Sequence, residues 1–160
     1  MKRFVFILAL LFSSTLAFSQ TGNIGLRLGA NDGVGAEISY QHLLGSSNRI
    51  EFDLGWRDSR SWDLVKLSGI YHWVMPIEGG FYWYVGPGAA LGVWDYDDDF
   101  PFDDRNNDEG FFLNVAGQVG IEYNFDIPLQ LSLDVRPEVP IINRYDDFDF
   151  DLALGIRYRF

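Results

Sequence analysis

No cysteine occurs among the 160 residues, so disulfide frameworks, thiolate metal sites and cysteine nucleophiles are all excluded. Basic residues are few: 12 Lys and Arg stand against 23 Asp and Glu, a formal net charge of −11. That balance disfavours nucleic acid as a partner and favours divalent cations or basic surfaces. No run of 18 uninterrupted apolar residues is present, so no helix can cross a bilayer. No self-similarity at 20 to 50 residues is found, and the length suits one domain. A Gly-rich phosphate loop and a nucleophile elbow are also missing.

The N-terminus reads as an address. Lys2 and Arg3 precede an apolar run from Phe4 to Phe12, followed by small and polar residues through Ala17-Phe18-Ser19. This is the pattern of a secretory signal peptide over residues 1–19, cleaved before Gln20. Residues 20–160 then form the mature domain. Without Lys2 and Arg3, ten basic residues face 23 acidic ones, a net charge of −13.

The mature chain alternates with period two and shows no helical periodicity of useful length, which predicts an all-β protein. Eight runs are legible. Ile24, Leu26 and Leu28 alternate with Gly25, Arg27 and Gly29; Ala36, Ile38 and Tyr40 alternate with Glu37, Ser39 and Gln41. Ile50, Phe52, Leu54 and Trp56 oppose Glu51, Asp53, Gly55 and Arg57, and a polar link from Asp58 to Ser61 follows. Val65, Leu67, Tyr71 and Trp73 oppose Lys66, Ser68 and His72. Phe81 to Trp94 carries Trp83, Val85 and Leu91 on one face and mostly Gly and Ala on the other, with Pro87 marking a bulge or bend. Leu113 to Phe125, Leu129 to Arg136 and Phe148 to Phe160 complete the set.

Period two does not say which face points inward, because a soluble lipocalin-like binding barrel has it too. Three features assign the apolar face to lipid. Aromatics cluster at strand ends and aliphatics in the middle, as in Phe148-x-Phe150 … Leu152, Leu154, Ile156 … Tyr158-x-Phe160, the distribution that headgroup-level girdles require. Strands of about 8 to 13 residues suit tilted spans, and their number is even. Connections after runs two, four and six are short, whereas those after three, five and seven are mostly longer and polar, the asymmetry of periplasmic turns and surface loops. The expected fold is an eight-stranded antiparallel up-and-down transmembrane β-barrel. Its lumen should hold Arg27, Arg57, Lys66, Arg136, Arg157 and Arg159 against Glu37, Glu51, Asp53, Glu122, Asp134, Asp149 and Asp151. In so narrow a barrel these should form a plug of ion pairs. The alternative is a narrow wet path along the Gly and Ala face of the fifth strand.

The leader, the eight alternating segments and the terminal Tyr158-Arg159-Phe160 resemble the small outer-membrane β-barrel family of the OmpX/OmpA type, over the whole mature chain. The resemblance implies a Gram-negative outer-membrane location among phospholipid and lipopolysaccharide. It also implies that the assembly machinery of that membrane reads the last strand with its C-terminal Phe. No periplasmic domain is expected after the barrel, so the resemblance is not taken to imply peptidoglycan anchoring.

Residues 95–109 hold Asp95, Asp97, Asp98, Asp99, Asp103, Asp104, Asp108 and Glu109 against one Arg105. Asp104, Asn106 and Asp108 have the alternate spacing by which calcium loops collect oxygen ligands, a weak candidate site for Ca²⁺ or Mg²⁺. A Glu stands where such a loop has Gly, and no bidentate Glu follows at the usual distance. The plainer reading is a solvated anionic loop. Phe100-Pro101-Phe102 is either an adhesive tip for another protein or a pair of rings folded on the rim. His42 and His72 are expected to be interfacial and luminal, not catalytic. No catalytic residue or cofactor is assigned. The expected function is a non-enzymatic outer-membrane barrel that supports the envelope or presents loops for interaction. The alternatives are a narrow channel or small-ligand porin, and a soluble exported binding barrel.

Overall fold

A computed structural model describes residues 22–29, 35–59, 62–96, 109–142 and 149–160. The signal-peptide segment, the Asp104, Asn106 and Asp108 group and Phe100-Pro101-Phe102 lie outside the described residues. Eight strands follow one another: β1 (Gly22–Gly29), β2 (Gly35–Leu43), β3 (Asn48–Ser59), β4 (Trp62–Pro76), β5 (Phe81–Tyr96), β6 (Glu109–Asn124), β7 (Leu129–Ile142) and β8 (Asp149–Arg159). Each pairs antiparallel with its sequence neighbours, and β8 returns to β1 from Asn23↔Arg159 to Gly29↔Ala153, closing the barrel. Closure leaves no sheet edge at that seam, which is the condition for crossing hydrocarbon with strands.

The barrel is polar inside and apolar outside. Arg27, Ser39, Gln41, Glu51, Asp53, His72 and Arg136 are fully shielded, while Leu26, Ile38, Phe52, Leu67, Leu133, Leu154 and Ile156 are exposed. On β8 the alternation is direct: Leu152 and Leu154 are about half exposed at 46% and 52%, and Ala153 between them is 2% exposed. A soluble protein buries its aliphatics and exposes its charges. The reverse order fits a wall facing lipid and a lumen shut off from it. The lipocalin-like alternative would require the apolar face to line the lumen, and it does not.

Three turns share one construction. Leu44 N–H donates to the Asn48 carbonyl at 2.9 Å, Ile77 to Phe81 at 2.9 Å and Phe125 to Leu129 at 3.0 Å, so each four-residue link folds tightly at the same end of the barrel. The opposite end is uneven. The polar link expected from Asp58 to Ser61 is shorter than its composition suggests: Asp58 and Ser59 belong to β3 and pair with Asp63 and Trp62 of β4, leaving two residues between the strands. Polar residues are poor strand markers here because the β3–β4 ladder continues past the alternating apolar run. β5 and β6 likewise continue to Asp95↔Glu109.

The turn from Ile77 to Gly80 carries two residues of positive φ, +60° at Gly79 and +89° at Gly80. An added Cβ at Gly79 would meet nothing within 4 Å, whereas at Gly80 it would lie 3.0 Å from the Asn124 carbonyl. Gly80→Asn should therefore cost about 1–2 kcal/mol, and Gly79→Asn, in the left-handed region that Asn tolerates, should be closer to neutral. Urea titration of the folded fraction in vesicles, read by the mobility of unboiled protein on gels, distinguishes the two.

Candidate functional site: the polar lumen

Alternate residues of every strand project into a lumen too narrow for water to dominate, so each buried charge must find a protein partner. The sheet register supplies them. Arg27 on β1 stands opposite Glu37 on β2 and reaches it at 3.0 Å. The same guanidinium holds Asp134 of β7 at 2.7 Å and Asp151 of β8 at 2.6 Å. One planar fork thus ties β1 to three other strands, a geometry an ammonium cannot reproduce.

Below this layer Arg136 of β7 donates to Glu37 at 3.2 Å and to Asp53 of β3. Arg157 of β8 reaches across to Ser39 Oγ at 2.9 Å, Ser132 Oγ at 2.7 Å and Glu51 at 3.1 Å. Glu51 is the hub of the middle: it also accepts from Gln41 Nε2 and from Gln118 Nε2 at 3.2 Å. Toward the tight turns, Arg49 pairs with Glu122 at 2.7 Å, lies 4.6 Å from the centre of the Tyr84 ring and donates to His72 Nδ1 at 3.1 Å. With Nδ1 accepting, the proton belongs on Nε2, which faces Gln118 Oε1 at 3.3 Å. At the other end Lys66 pairs with Glu138, which also accepts from Asn114 at 3.0 Å.

His72 lies in the lumen, as its place in the alternation predicts. Arg49 and Glu138 are luminal as well, which the alternation does not indicate. Arg49 follows the turn residues Gly45 to Asn48 directly, and Glu138 follows Pro137, which breaks a strand pattern; both are signals of strand ends, and both strands run on. Arg159 is a rim residue instead of a lumen one, donating to the Phe125 carbonyl at 3.3 Å. The side chains of Arg57 and Asp149 are outside the described residues. The described lumen thus holds Arg27, Arg49, Lys66, Arg136 and Arg157 against Glu37, Glu51, Asp53, Glu122, Asp134, Glu138 and Asp151.

The small residues on the inner side of β5 and β6 do not mark clear space. An added Cβ at Gly92 would come within 2.5 Å of the Phe112 ring, and one at Gly120 within 2.5 Å of the Tyr84 ring. These glycines are sockets for large neighbours, so Tyr84, Ile70 and Phe112, all buried, occupy the room along which a wet path would run. Among the described residues neither histidine hydrogen-bonds a serine or a carboxylate; His42 has only a ring contact with Tyr40, at 6.5 Å. Among the described residues no group of three or more His, Asp or Glu is arranged to hold a metal ion.

The network makes the lumen sensitive to the loss of single members. Arg27→Met leaves Glu37, Asp134 and Asp151 without their shared cation and should lower stability by about 3–5 kcal/mol. Arg27→Lys should recover only part of it, and adding Asp134→Asn and Asp151→Asn to Arg27→Met should recover more. Urea midpoints in vesicles measure all three.

No protein-family model matches the chain, and no curated protein matches it. Solved structures do. The N-terminal β-barrel domain of Pseudomonas aeruginosa OprF superposes with a TM-score of 0.64 at 15% identity, covering 89% of this chain and 100% of that one. Neisserial surface protein A gives 0.59 at 13% identity, over 87% and 94% of the two chains. Ail, the attachment invasion locus protein of Yersinia pestis, gives 0.57 at 18% identity, over 88% and 97%. Such identities carry fold and not activity. With the closed eight-stranded ladder, the apolar wall and the ion-paired lumen, they show that this chain has the fold of the small eight-stranded outer-membrane β-barrels.

Proposed function

We propose that the chain is a non-enzymatic outer-membrane barrel whose long wall presents a projecting sheet and an acidic loop to partners outside the cell. The observation that carries this is the unequal height of the strands. β1 and β2 have 8 and 9 residues, whereas β4, β5 and β6 have 15, 16 and 16. Among the described residues pairing of β2 with β3 reaches Glu37↔Gly55, and β3 and β4 stay paired to Ser59↔Trp62. On the other flank the β6–β7 pairs among the described residues reach Leu113↔Ile142, and β5 and β6 continue to Asp95↔Glu109. Among the described residues the β3–β6 ladders are therefore the longest part of the barrel. In this reading its β3 flank, from Trp56 to Ser59, is where a partner strand would add.

The same wall carries the acidic segment between β5 and β6. An anionic loop repels polyanions and attracts basic protein surfaces or cations. Ail has been crystallised with the heparin analogue sucrose octasulfate; the charge of the present chain points to a partner of the opposite kind. The ion-paired lumen and the sockets filled by Tyr84 and Phe112 support a wall with a binding rim over a conduit. The acidic segment with Asp104, Asn106 and Asp108 stays a candidate for Ca²⁺ or Mg²⁺ within this reading. Phospholipid, lipopolysaccharide and the assembly machinery that reads the terminal Phe160 are the other proposed contacts.

Cells displaying the full chain should retain a basic probe protein such as cytochrome c severalfold better than cells displaying a variant with residues 97–108 replaced by a Gly-Ser linker, provided both show the same heat-dependent gel mobility. Equal retention would remove the loop from the function. A Trp56→Pro variant separates the sheet flank from the loop, because it blocks strand addition without altering charge.

A further inference from the structure

The lipid-facing wall is not uniformly ridged. Between β4 and β7 it is dented by a groove of about 540 Å³ whose lining is almost wholly apolar, a size in the range of small-molecule sites. Gly117 forms the floor together with Gly86 and Ala116, residues at positions that carry little or no side chain. Trp73, Val85, Val115 and Val139 are the walls, and Trp73, Val115 and Val139 are each about half exposed. The dent has a backbone cause. Pro87 pairs in register with Gly117, and Pro137 lies within 3.8 Å of where a Gly117 side chain would begin. Two prolines without N–H groups thus flank a residue without a side chain. The ladders thin at the same place: the β4–β5 pairs pass from Ile70↔Gly88 to Trp73↔Val85, and the β6–β7 pairs from Ala116↔Glu138 to Val119↔Val135.

We infer that this groove seats one acyl chain of a periplasmic-leaflet phospholipid as a bound lipid, distinct from the chains that slide over the rest of the wall. The groove is continuous with the exposed aliphatic surface that meets lipid, so its occupant must be hydrocarbon; a void there would forfeit contacts on every lining atom. It opens at Trp73, four residues from the tight turn that begins at Ile77 and so at the level of the aromatic girdle on that side. From there it climbs diagonally across β5 and β6 to Val139, because paired positions rise with the tilt of the strands. A headgroup beside Trp73 would leave its chain aligned with the groove. The inference rests on the lipid-facing assignment of the wall and is independent of the surface-binding reading.

The test reconstitutes the full mature chain in vesicles of phosphatidylethanolamine and phosphatidylglycerol containing a phosphatidylcholine with a diazirine in its acyl chain, followed by irradiation and peptide mapping. Adducts at Val85, Val115 and Val139 should exceed those at Ile38, Leu26 and Leu154 on the opposite wall by roughly fivefold. Gly117→Phe fills the groove from its floor, where an added Cβ has only ordinary contacts, and should bring the groove adducts down to the wall average with the heat-dependent gel shift intact. Gly117→Leu serves the same purpose if the larger side chain prevents folding. Even labelling around the barrel, labelling unchanged by either variant, or copy-to-copy cross-links through the groove would each overturn the proposal.

Discussion

In hydrocarbon no water is present to satisfy a backbone N–H or C=O, and that single requirement organises the molecule. It demands that every strand be paired on both sides across the bilayer, which β8 achieves by returning to β1. Closure with only eight strands leaves a lumen that side chains fill. Period-two alternation then sends half the side chains to lipid and half inward, so the sequence must be apolar at one set of positions and mutually compatible at the other. The exceptions are as informative as the rule. Pro87 and Pro137 thin the ladder within the wall, and the groove at Gly117 lies where they meet.

The inner set meets its own constraint through cross-ties. Arg27, Arg136 and Arg157 each reach acidic or hydroxyl groups on more than one other strand. Pairs of this kind contribute little net stability over apolar packing, because both partners are desolvated, but breaking one is costly. Their consequence is register. A strand slipped by one residue would turn Arg27 or Glu51 toward lipid and Leu26 or Phe52 into the ion pairs. In the proposed reading, function belongs to the part of the wall where the β3 to β6 ladders are longest among the described residues.

Most of this architecture was legible because side-chain period and face assignment are local properties. Strand β8 reveals its two faces from Phe150 to Arg157 in eight residues, and the lumen positions of Arg27, Glu51, Asp134 and His72 follow from counting by twos. What was hidden is long-range. Arg49 and Glu138 looked like strand-end residues beside a turn and a proline, and only the ladders show that β3 and β7 include them. Asp58 and Ser59 read as a loop by their polarity, and only the β3–β4 ladder shows that the strand includes them. The glycines of β5 read as space, but Ile70 of β4 and Phe112 of β6 occupy it. The groove depends on Gly117 lying between prolines of two different strands, which no single segment displays.

The absence of cysteine makes the central claim open to direct measurement, since each introduced thiol is unique. Single cysteines from Phe150 to Arg157 on β8, spin-labelled in vesicles, report accessibility to oxygen dissolved in the bilayer. The account predicts high oxygen accessibility at Phe150, Leu152, Leu154 and Ile156 and low accessibility at Asp151, Ala153, Gly155 and Arg157. A pattern without period two, or one in which the aliphatic positions are shielded from lipid and the charged ones reach it, would contradict an apolar wall around an ion-paired lumen.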